Sequence, residues 1–308
     1  MSKSTQPRGT LVVGHPRSGT TLLRRLLGAH PAFAAPPETH LFSACARFLD
    51  ADPTADGVDM SVLTGLAFAG FDDRDVLDEL REFAFAYLDR YAKSRGKTRW
   101  VDKTAFDIFY LETIEKLCAE EVYYIGIIRH PLDVAVSCKE FCDAAGMYPT
   151  PLHFYIRRYA QPIEAFIHSW IDTTSALVRL GEKHPERCLT CRYEDLVADP
   201  EGVLGDIIRF IGEGPIDGLA AAAFSGEMTD LGFSDHKSYQ TGSVHSDSVY
   251  RWQSLPRPQI DRLVPLCNDL LQMFDYEPIS PDPALSTVEL RERYLASLAV
   301  QARKRTDH

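Results

Sequence analysis

The chain has 308 residues, and its 33 basic and 44 acidic side chains give a formal net charge of −11. Its 45% hydrophobic and 25% charged composition excludes a disordered chain, and seven cysteines are too few for a disulfide scaffold. The acidic balance disfavours a non-specific nucleic-acid binder. No run approaches the roughly 18 apolar residues of a spanning helix, and the N-terminal apolar core, Thr10–Val13, is far too short for a signal peptide. We therefore predict a cytoplasmic protein with reduced cysteines.

Short strands alternate with helices along the chain, which is the pattern of an α/β protein with a parallel sheet. The predicted strands are Thr10–Val13, Trp100–Val101, Val122–Ile128 and a segment that ends near Cys191. The predicted helices are Thr20–Leu27, about 132–142, a segment that begins at Pro200 and ends at Gly212, and helical layers over 61–93 and 151–181. Val122–Ile128 (VYYIGII) has the near-continuous apolar character of a buried parallel strand.

The order of elements indicates one domain over residues 1–280, with a helical acceptor-side segment at about 40–95 and a C-terminal helical arm at 281–308. Residues 225–250, rich in Gly, Ser, Asp and His, are predicted to form a long surface loop, and loops of that length are usually functional. Cys188 and Cys191 form a CxxC pair, but no second pair completes a zinc site, so we expect both thiols to pack in the core.

The most informative segment is Gly14-His15-Pro16-Arg17-Ser18-Gly19-Thr20-Thr21, between the first strand and the first helix. Its G-x-x-x-x-G spacing and its position are those of a phosphate-binding loop. The glycines permit the tight turn, and the amides at the start of the helix point at an anion. A nucleoside-triphosphate loop would carry a lysine after the second glycine, where this chain has Thr20; Arg17 supplies a cation three residues earlier.

A second phosphate signature follows the strongest predicted strand. Ile127-Ile128-Arg129-His130-Pro131 leads through the start of a helix to Ser137. The guanidinium of Arg129 can make a bidentate contact with a phosphate, and the hydroxyl of Ser137 can donate a hydrogen bond to the same phosphate from the helix.

Together these two motifs resemble those of the sulfotransferases that use 3′-phosphoadenosine 5′-phosphosulfate (PAPS). The resemblance covers about residues 10–275 and leans toward the bacterial and tyrosylprotein branch, because the RKG-x-x-G-D-W-K flap of the cytosolic branch is absent. It implies a three-layer α/β/α fold with a central, mostly parallel sheet. It also implies PAPS as donor and adenosine 3′,5′-bisphosphate as product, with no metal required.

The same resemblance assigns the donor-binding residues. The phosphate loop would hold the 5′-phosphosulfate, and Arg129 with Ser137 would hold the 3′-phosphate. Tyr193, in Arg192-Tyr193-Glu194-Asp195-Leu196, would lie beside the nucleotide, and Lys237, Arg251 and Trp252 would close over it. The predicted donor-binding set is Arg17, Ser18, Gly19, Thr20, Thr21, Arg129, Ser137, Tyr193, Lys237, Arg251 and Trp252. Ser234 or Ser238 corresponds to a serine of the family's flap, and the alignment leaves both open.

The catalytic residues implied by the resemblance are Glu38, Lys103 and Arg17. Glu38 stands where the tyrosylprotein-like branch has its base, and a positioned carboxylate can take a proton in the transition state. Lys103 follows a strand, where it would stabilise charge on the transferring group. His40 and His15 are alternative bases. Without such positioning, Glu38 is an exposed carboxylate and Lys103 a solvated surface lysine.

Two other functions are compatible with a loop of this kind. A nucleoside-triphosphate kinase or hydrolase would need the missing lysine and a strand that ends in a magnesium-binding Asp, for which Arg99-Trp100-Val101-Asp102 is a poor candidate. A non-catalytic nucleotide-binding protein could keep the fold. The acceptor stays open among a hydroxyl-bearing small molecule, a glycolipid and a peptide tyrosine, and a homodimer is possible.

Overall fold

The computed structural model describes residues 6–53, 59–225, 242–279, 291–292 and 294–295. The chain divides into two compact units. The first contains the described residues up to Ile128 and those from Ala176 to His245, and the second contains Arg129–Ser175 and the described residues from Ser246 onward. The predicted single domain of 1–280 and its C-terminal arm stay predictions, since most of 281–308 lies outside the described residues.

The first unit is built on a parallel sheet. The strands in chain order are β1 (Gly9–Val13), β2 (Phe33–Ala34), β3 (Asp52–Pro53), β4 (Asp59–Met60), β5 (Arg99–Asp102), β6 (Val122–Ile128) and β7 (Cys188–Arg192). Five of them pair in the order β2-β5-β1-β6-β7, and every pairing in this sheet is parallel. Strands β3 and β4 form a separate antiparallel pair. The predicted α/β class with a central parallel sheet is confirmed.

The predicted helices are present, with ends that differ by a few residues. The helices are α1 (Thr20–Gly28), α2 (Leu41–Phe48), α3 (Val62–Phe68), α4 (Asp73–Ser94), α5 (Leu111–Cys118), α6 (Pro131–Ala145), α7 (His153–Arg158), α8 (Pro162–Lys183), α9 (Tyr193–Ala198), α10 (Pro200–Ile211), α11 (Leu219–Ala222), α12 (Arg257–Leu263) and α13 (Asn268–Met273). Short 3₁₀ helices cover Asp107–Tyr110, Thr150–Leu152, Arg251–Ser254 and Val264–Leu266. Of the predicted loop at 225–250, residues 226–241 lie outside the described residues, and 242–250 carry neither helix nor strand.

Local sequence explains where the long helices begin and end. Asp72 and Asp75 form a reciprocal capping box at the start of α4. At α10, the side chain of Asp199 accepts from the amide of Gly202, and Pro200 occupies the first turn. Gly212 ends that helix in the left-handed conformation, at a φ of 84°. Within the part of the chain that is described, no helix combines the length and apolarity needed to cross a membrane.

The parallel pairing of the central strands brings the candidate site segments to one edge of the sheet. All five residues of β1 are buried, and β1 lies between β5 and β6. Since parallel strands all end at the same edge, the loop after β1 and the residue after β5 lie at that edge. The loop after β1 is the phosphate loop, and the residue after β5 is Lys103.

Gly126 provides a test of how tightly this sheet packs. A Cβ on Gly126 would lie 2.7 Å from Oγ1 of Thr190 and 2.8 Å from a methyl carbon of Leu177. We expect Gly126→Ala to lower the free energy of unfolding by about 1–3 kcal/mol, because overpacking forces neighbours to shift. Gly65→Ala is the matched control. Gly65 is an exposed residue of α3, and among the described residues no atom beyond its chain neighbours and its own helix backbone lies within 4 Å of its Cβ position, so alanine should stabilise the helix by about 0.5–1 kcal/mol. The free energy of unfolding of both variants is measured in urea. If Gly126→Ala changed it in the same way as Gly65→Ala does, the packing at Gly126 would be loose.

Candidate active site

The phosphate loop is held in a conformation that its glycines make possible. Gly19 has a φ of 98° and stands directly before α1, and Arg17 has a φ of 74°. A Cβ on Gly14 would lie 2.3 Å from the carbonyl oxygen of Ile127, and one on Gly19 would lie 2.4 Å from the ring of Tyr193. Both glycines are therefore needed for close packing as well as for backbone freedom. The contact also places Tyr193 beside the loop.

The residues of this loop fit a phosphate group. The hydroxyl of Ser18 is buried and has no hydrogen-bond partner among the described residues, although a buried polar group ordinarily has one. The nine-residue helix α1 begins with Thr20 and Thr21, whose side chains are also buried. A phosphate oxygen would give the Ser18 hydroxyl its missing acceptor at the positive end of a helix.

A buried ion pair joins Glu38 to Lys103. The Nζ atom of Lys103 lies 2.6 Å from Oε1 of Glu38, and only 1% of the lysine side chain and 6% of the glutamate side chain are exposed. The same Nζ donates to Oγ1 of Thr21 at 3.0 Å. The backbone amide of Ala105 gives Glu38 Oε1 a second donor at 3.1 Å. Both side chains are thus buried and oriented, unlike a solvated lysine and an exposed carboxylate.

The segment that carries Glu38 is anchored from two sides. The guanidinium of Arg24, on α1, donates to the carbonyl oxygens of Ala35 at 2.8 Å and Pro36 at 2.6 Å. On the other side, Oγ1 of Thr39 donates to Oδ1 of Asp102 at 3.0 Å. The neighbouring residue is fixed too, because the amide of His40 donates to Oγ1 of Thr104 at 3.1 Å. Glu38 therefore has a defined position without belonging to a helix or a strand.

Two further buried carboxyl groups interact electrostatically with the ion pair. Burial raises the pKa of Asp102 to about 7, against the opposing effects of the Thr39 hydrogen bond and the Lys103 charge. Burial also raises the pKa of Asp107 well above its usual value, and the charge of Asp102 adds to this shift. Below about pH 7 Asp102 holds its proton, so Glu38 is the carboxylate that balances the positive charge of Lys103.

Neither alternative base has the surroundings of Glu38. His15 is buried within the phosphate loop, its Nδ1 lies 2.8 Å from the carbonyl oxygen of Pro16, and its ring packs against Phe109. Burial lowers the pKa of His15 to about 4, so the imidazole is neutral at physiological pH. His40 is exposed, at the start of α2, with a φ of 56°.

The second unit contains the other predicted phosphate-binding pair. Arg129 directly follows β6, and Ser137 lies on α6; both side chains are buried. The Nη2 atom of Arg129 donates to the carbonyl oxygen of Ser248 and lies 3.8 Å from a carboxylate oxygen of Asp133.

The residues of the predicted flap are described only in part. Arg251 and Trp252 begin a 3₁₀ helix in the second unit, and Arg251 pairs with Glu140 of α6. The Trp252 ring stacks on His130, with centroids 5.1 Å apart and an interplanar angle of 13°. Lys237, Ser234 and Ser238 lie outside the described residues.

Comparison with known proteins assigns the chain to a family. A model of the sulfotransferase family matches residues 10–215, which is more than half of the chain. The chain belongs to the sulfotransferase family. The matched region includes both phosphate signatures, Glu38 and Lys103.

Individual relatives are more distant. The nodulation protein NoeE of Sinorhizobium fredii (strain NBRC 101917 / NGR234) is 28% identical over 267 residues, which are 82% of this chain and 62% of NoeE. Among solved structures, the sulfotransferase domain of the Synechococcus PCC 7002 olefin synthase covers 89% of this chain and 97% of its own, at a TM-score of 0.60 and 23% identity. The sulfotransferase domain from the curacin biosynthetic pathway covers 90% of this chain and 100% of its own, at a TM-score of 0.61 and 22% identity. These two structures establish the likeness of fold.

The structure adds residues that sequence reasoning missed. Arg24, Thr39 and Asp102 hold the Glu38 segment, and Asp133 contacts the segment that carries Trp252. The sequence could have indicated Thr39 and Asp102, because Thr39 follows Glu38 and Asp102 precedes Lys103. No motif singled out Arg24, because its partners are backbone carbonyls 11 and 12 residues further along the chain.

The raised pKa of Asp102 predicts how stability changes with pH. Between about pH 4 and about pH 7 the folded protein keeps a proton on Asp102 that the unfolded chain has lost. The contribution of Asp102 to the free energy of unfolding therefore falls as pH rises through this window and is constant above it. Asp102→Asn, which keeps an oxygen for the Thr39 hydrogen bond, should gain stability relative to the wild type from pH 5 to pH 8 in urea unfolding.

The comparison must be made as variant minus wild type, because His15 acts in the opposite direction. Its lowered pKa makes the wild type less stable as pH falls from about 6.5 to about 4. This contribution is common to both proteins and cancels in the difference. A stability difference between Asp102→Asn and wild type that did not change with pH would contradict the raised pKa.

Proposed function

We propose that this chain transfers the sulfuryl group of PAPS to a hydroxyl acceptor. The observation that carries the proposal is the position of Lys103. Its single buried ammonium donates both to Thr21 of the phosphate loop and to Glu38, the expected base. The group that would hold the leaving phosphate and the group that would accept a proton are therefore within one hydrogen bond of the same cation.

The donor would be held at two sets of residues. We propose that Arg17, Ser18, Gly19, Thr20 and Thr21 bind the 5′-phosphosulfate. Two observations support this role: the buried hydroxyl of Ser18 lacks a partner in the part of the chain that the structure describes, and helix α1 begins at Thr20. No lysine stands at the position that contacts the β- and γ-phosphates in nucleoside-triphosphate loops.

The remaining donor contacts belong to the other predicted residues. Arg129 and Ser137 would bind the 3′-phosphate, and Tyr193, Lys237, Arg251 and Trp252 would contact the nucleotide. Tyr193 already packs against Gly19 of the phosphate loop, which supports its role. We propose that binding requires no metal ion.

Bound PAPS supplies a sulfuryl group whose leaving group is the 5′-phosphate. Glu38 takes the proton from the acceptor hydroxyl as its oxygen attacks sulfur in line. Lys103 and Arg17 stabilise the negative charge that develops on the sulfuryl oxygens and on the leaving phosphate oxygen. Two groups donate to Oε1 of Glu38: the Nζ atom of Lys103 and the backbone amide of Ala105. They orient the carboxylate before the acceptor arrives.

The acceptor is proposed only as a class. A hydroxyl-bearing small molecule, a glycolipid and a peptide tyrosine all carry the oxygen that this chemistry needs. We propose a cytoplasmic enzyme that acts on one of them and does not bind nucleic acid. The seven free cysteines, six of them buried, support a reducing compartment.

Donor binding can be measured before the acceptor is known. We expect adenosine 3′,5′-bisphosphate in EDTA to raise the midpoint of thermal unfolding by several degrees, because a ligand at about 100 times its Kd adds roughly 2.7 kcal/mol of stability. Ser18→Ala should weaken this shift by removing a buried donor. ADP with magnesium is the control, and a shift with that mixture alone would indicate a nucleoside-triphosphate enzyme instead.

Glu38→Gln separates catalysis from donor binding. We expect kcat to fall by about 10²–10⁴-fold, because the amide cannot accept the proton, while the bisphosphate still binds. Turnover is read as release of adenosine 3′,5′-bisphosphate from PAPS with a panel of phenols, alcohols and tyrosine peptides. Glu112→Gln, on the exposed surface of α5, is the matched control. If the kcat of Glu38→Gln equalled that of the control, a group other than Glu38 would be the base.

A further inference from the structure

In the second unit, one buried carboxylate holds the start of the Arg251–Ser254 helix. Asp133 lies on the first turn of α6, and its side chain is fully buried. Its Oδ2 accepts from the backbone amide of Tyr250 at 2.9 Å, and its Oδ1 accepts from that of Trp252 at 2.8 Å. Hydrogen bonds from amides to a carboxylate are stronger than neutral ones, so this double contact fixes the backbone over three consecutive residues.

The backbone that Asp133 holds is one that would otherwise be unfavourable. Tyr250 has a φ of 61°, in the left-handed region that residues with a side chain rarely adopt. This turn lets the amides of Tyr250 and Trp252 reach the same carboxylate. The two hydrogen bonds to Asp133 offset the cost of the conformation.

The turn determines where the Trp252 ring lies. The ring stacks on His130, and His130 meets Tyr276 edge-on at a centroid distance of 5.6 Å. The indole Nε1 of Trp252 is buried and has no hydrogen-bond partner among the residues described. An indole N–H is a donor only, so a ligand that meets it must offer an acceptor.

Asp133 is also beside the predicted 3′-phosphate residue. One of its carboxylate oxygens lies 3.8 Å from Nη2 of Arg129, and that nitrogen donates to the carbonyl oxygen of Ser248. The same carboxylate therefore orients the guanidinium of Arg129, which directly follows β6, and the chain segment that contacts it. Arg129, Ser248 and Trp252 are set relative to one another by this one side chain.

We propose that Asp133 is a positioning residue for the donor nucleotide. It holds the 248–252 segment so that the guanidinium of Arg129 and the N–H of Trp252 are in place for the nucleotide's acceptor oxygens or nitrogens. Asp133 itself does not touch the nucleotide. The inference rests on the proposed function, in which Arg129 and Trp252 bind the donor.

The test compares Asp133→Asn with Asp143→Asn. Asparagine keeps the size of Asp133 but presents only one acceptor oxygen, so one of the two amide contacts is lost. Asp143 lies on the same helix and pairs with Lys139 on the exposed surface. We expect the Kd of adenosine 3′,5′-bisphosphate, measured by calorimetry, to rise about tenfold for Asp133→Asn and to stay unchanged for the control. The KM for PAPS should rise similarly while kcat at saturating PAPS stays within about twofold.

A double-mutant cycle tests whether Asp133 acts through the tryptophan. Trp252→Phe keeps an aromatic ring on His130 but removes the N–H, and we expect it to weaken bisphosphate binding by itself. In that background, Asp133→Asn should cost less than it does in the wild type, because the two changes remove the same contact. Near-ultraviolet circular dichroism checks that each variant is folded.

Each outcome decides the inference. If the wild type does not bind the bisphosphate, the proposed function fails. If the wild type binds it and Asp133→Asn binds equally well or more tightly, the inference alone is overturned, since Asp133 would then only compete with the phosphate for Arg129. If Asp133→Asn does not fold, the Trp252→Phe variant decides: an unchanged Kd for the bisphosphate in that variant would overturn the inference.

Discussion

The buried ion pair between Lys103 and Glu38 is the interaction on which the candidate site depends. Both charges are removed from water, which costs several kcal/mol for each ion, and an unpaired partner would be strongly unfavourable. Thr21 and the Ala105 amide provide the additional hydrogen bonds that such a pair needs. The phosphate loop, the end of β5 and the Glu38 segment are thereby joined through one ammonium group.

The parallel sheet explains why these segments can meet at all. Strands β1 and β5 are neighbours and end at the same edge, so a loop after one and a lysine after the other are brought together although about 80 residues separate them in sequence. The Glu38 segment is then tied to that edge by Arg24 and by the Thr39–Asp102 hydrogen bond. Precise placement of a loop carboxylate therefore depends on contacts from rigid elements.

The second unit uses the same principle on a smaller scale. Asp133 lies on a helix and holds irregular backbone, as Arg24 does in the first unit. In both cases a buried charged side chain satisfies main-chain groups that no helix or strand would satisfy, which is the usual way that buried backbone polar groups find partners. The residues expected to contact the donor are thus supported by residues that need not contact it.

The sequence by itself determined the α/β class, most strands and helices and the two phosphate motifs, because hydrophobic periodicity, glycine spacing and capping residues are local signals. It also indicated Glu38 and Lys103 through resemblance. Only the tertiary structure decided that these two are buried and paired, that Asp102 keeps its proton up to about pH 7, and that Arg24 and Asp133 hold loops. Burial and long-range contacts arise when the sheet assembles, so no local pattern contains them.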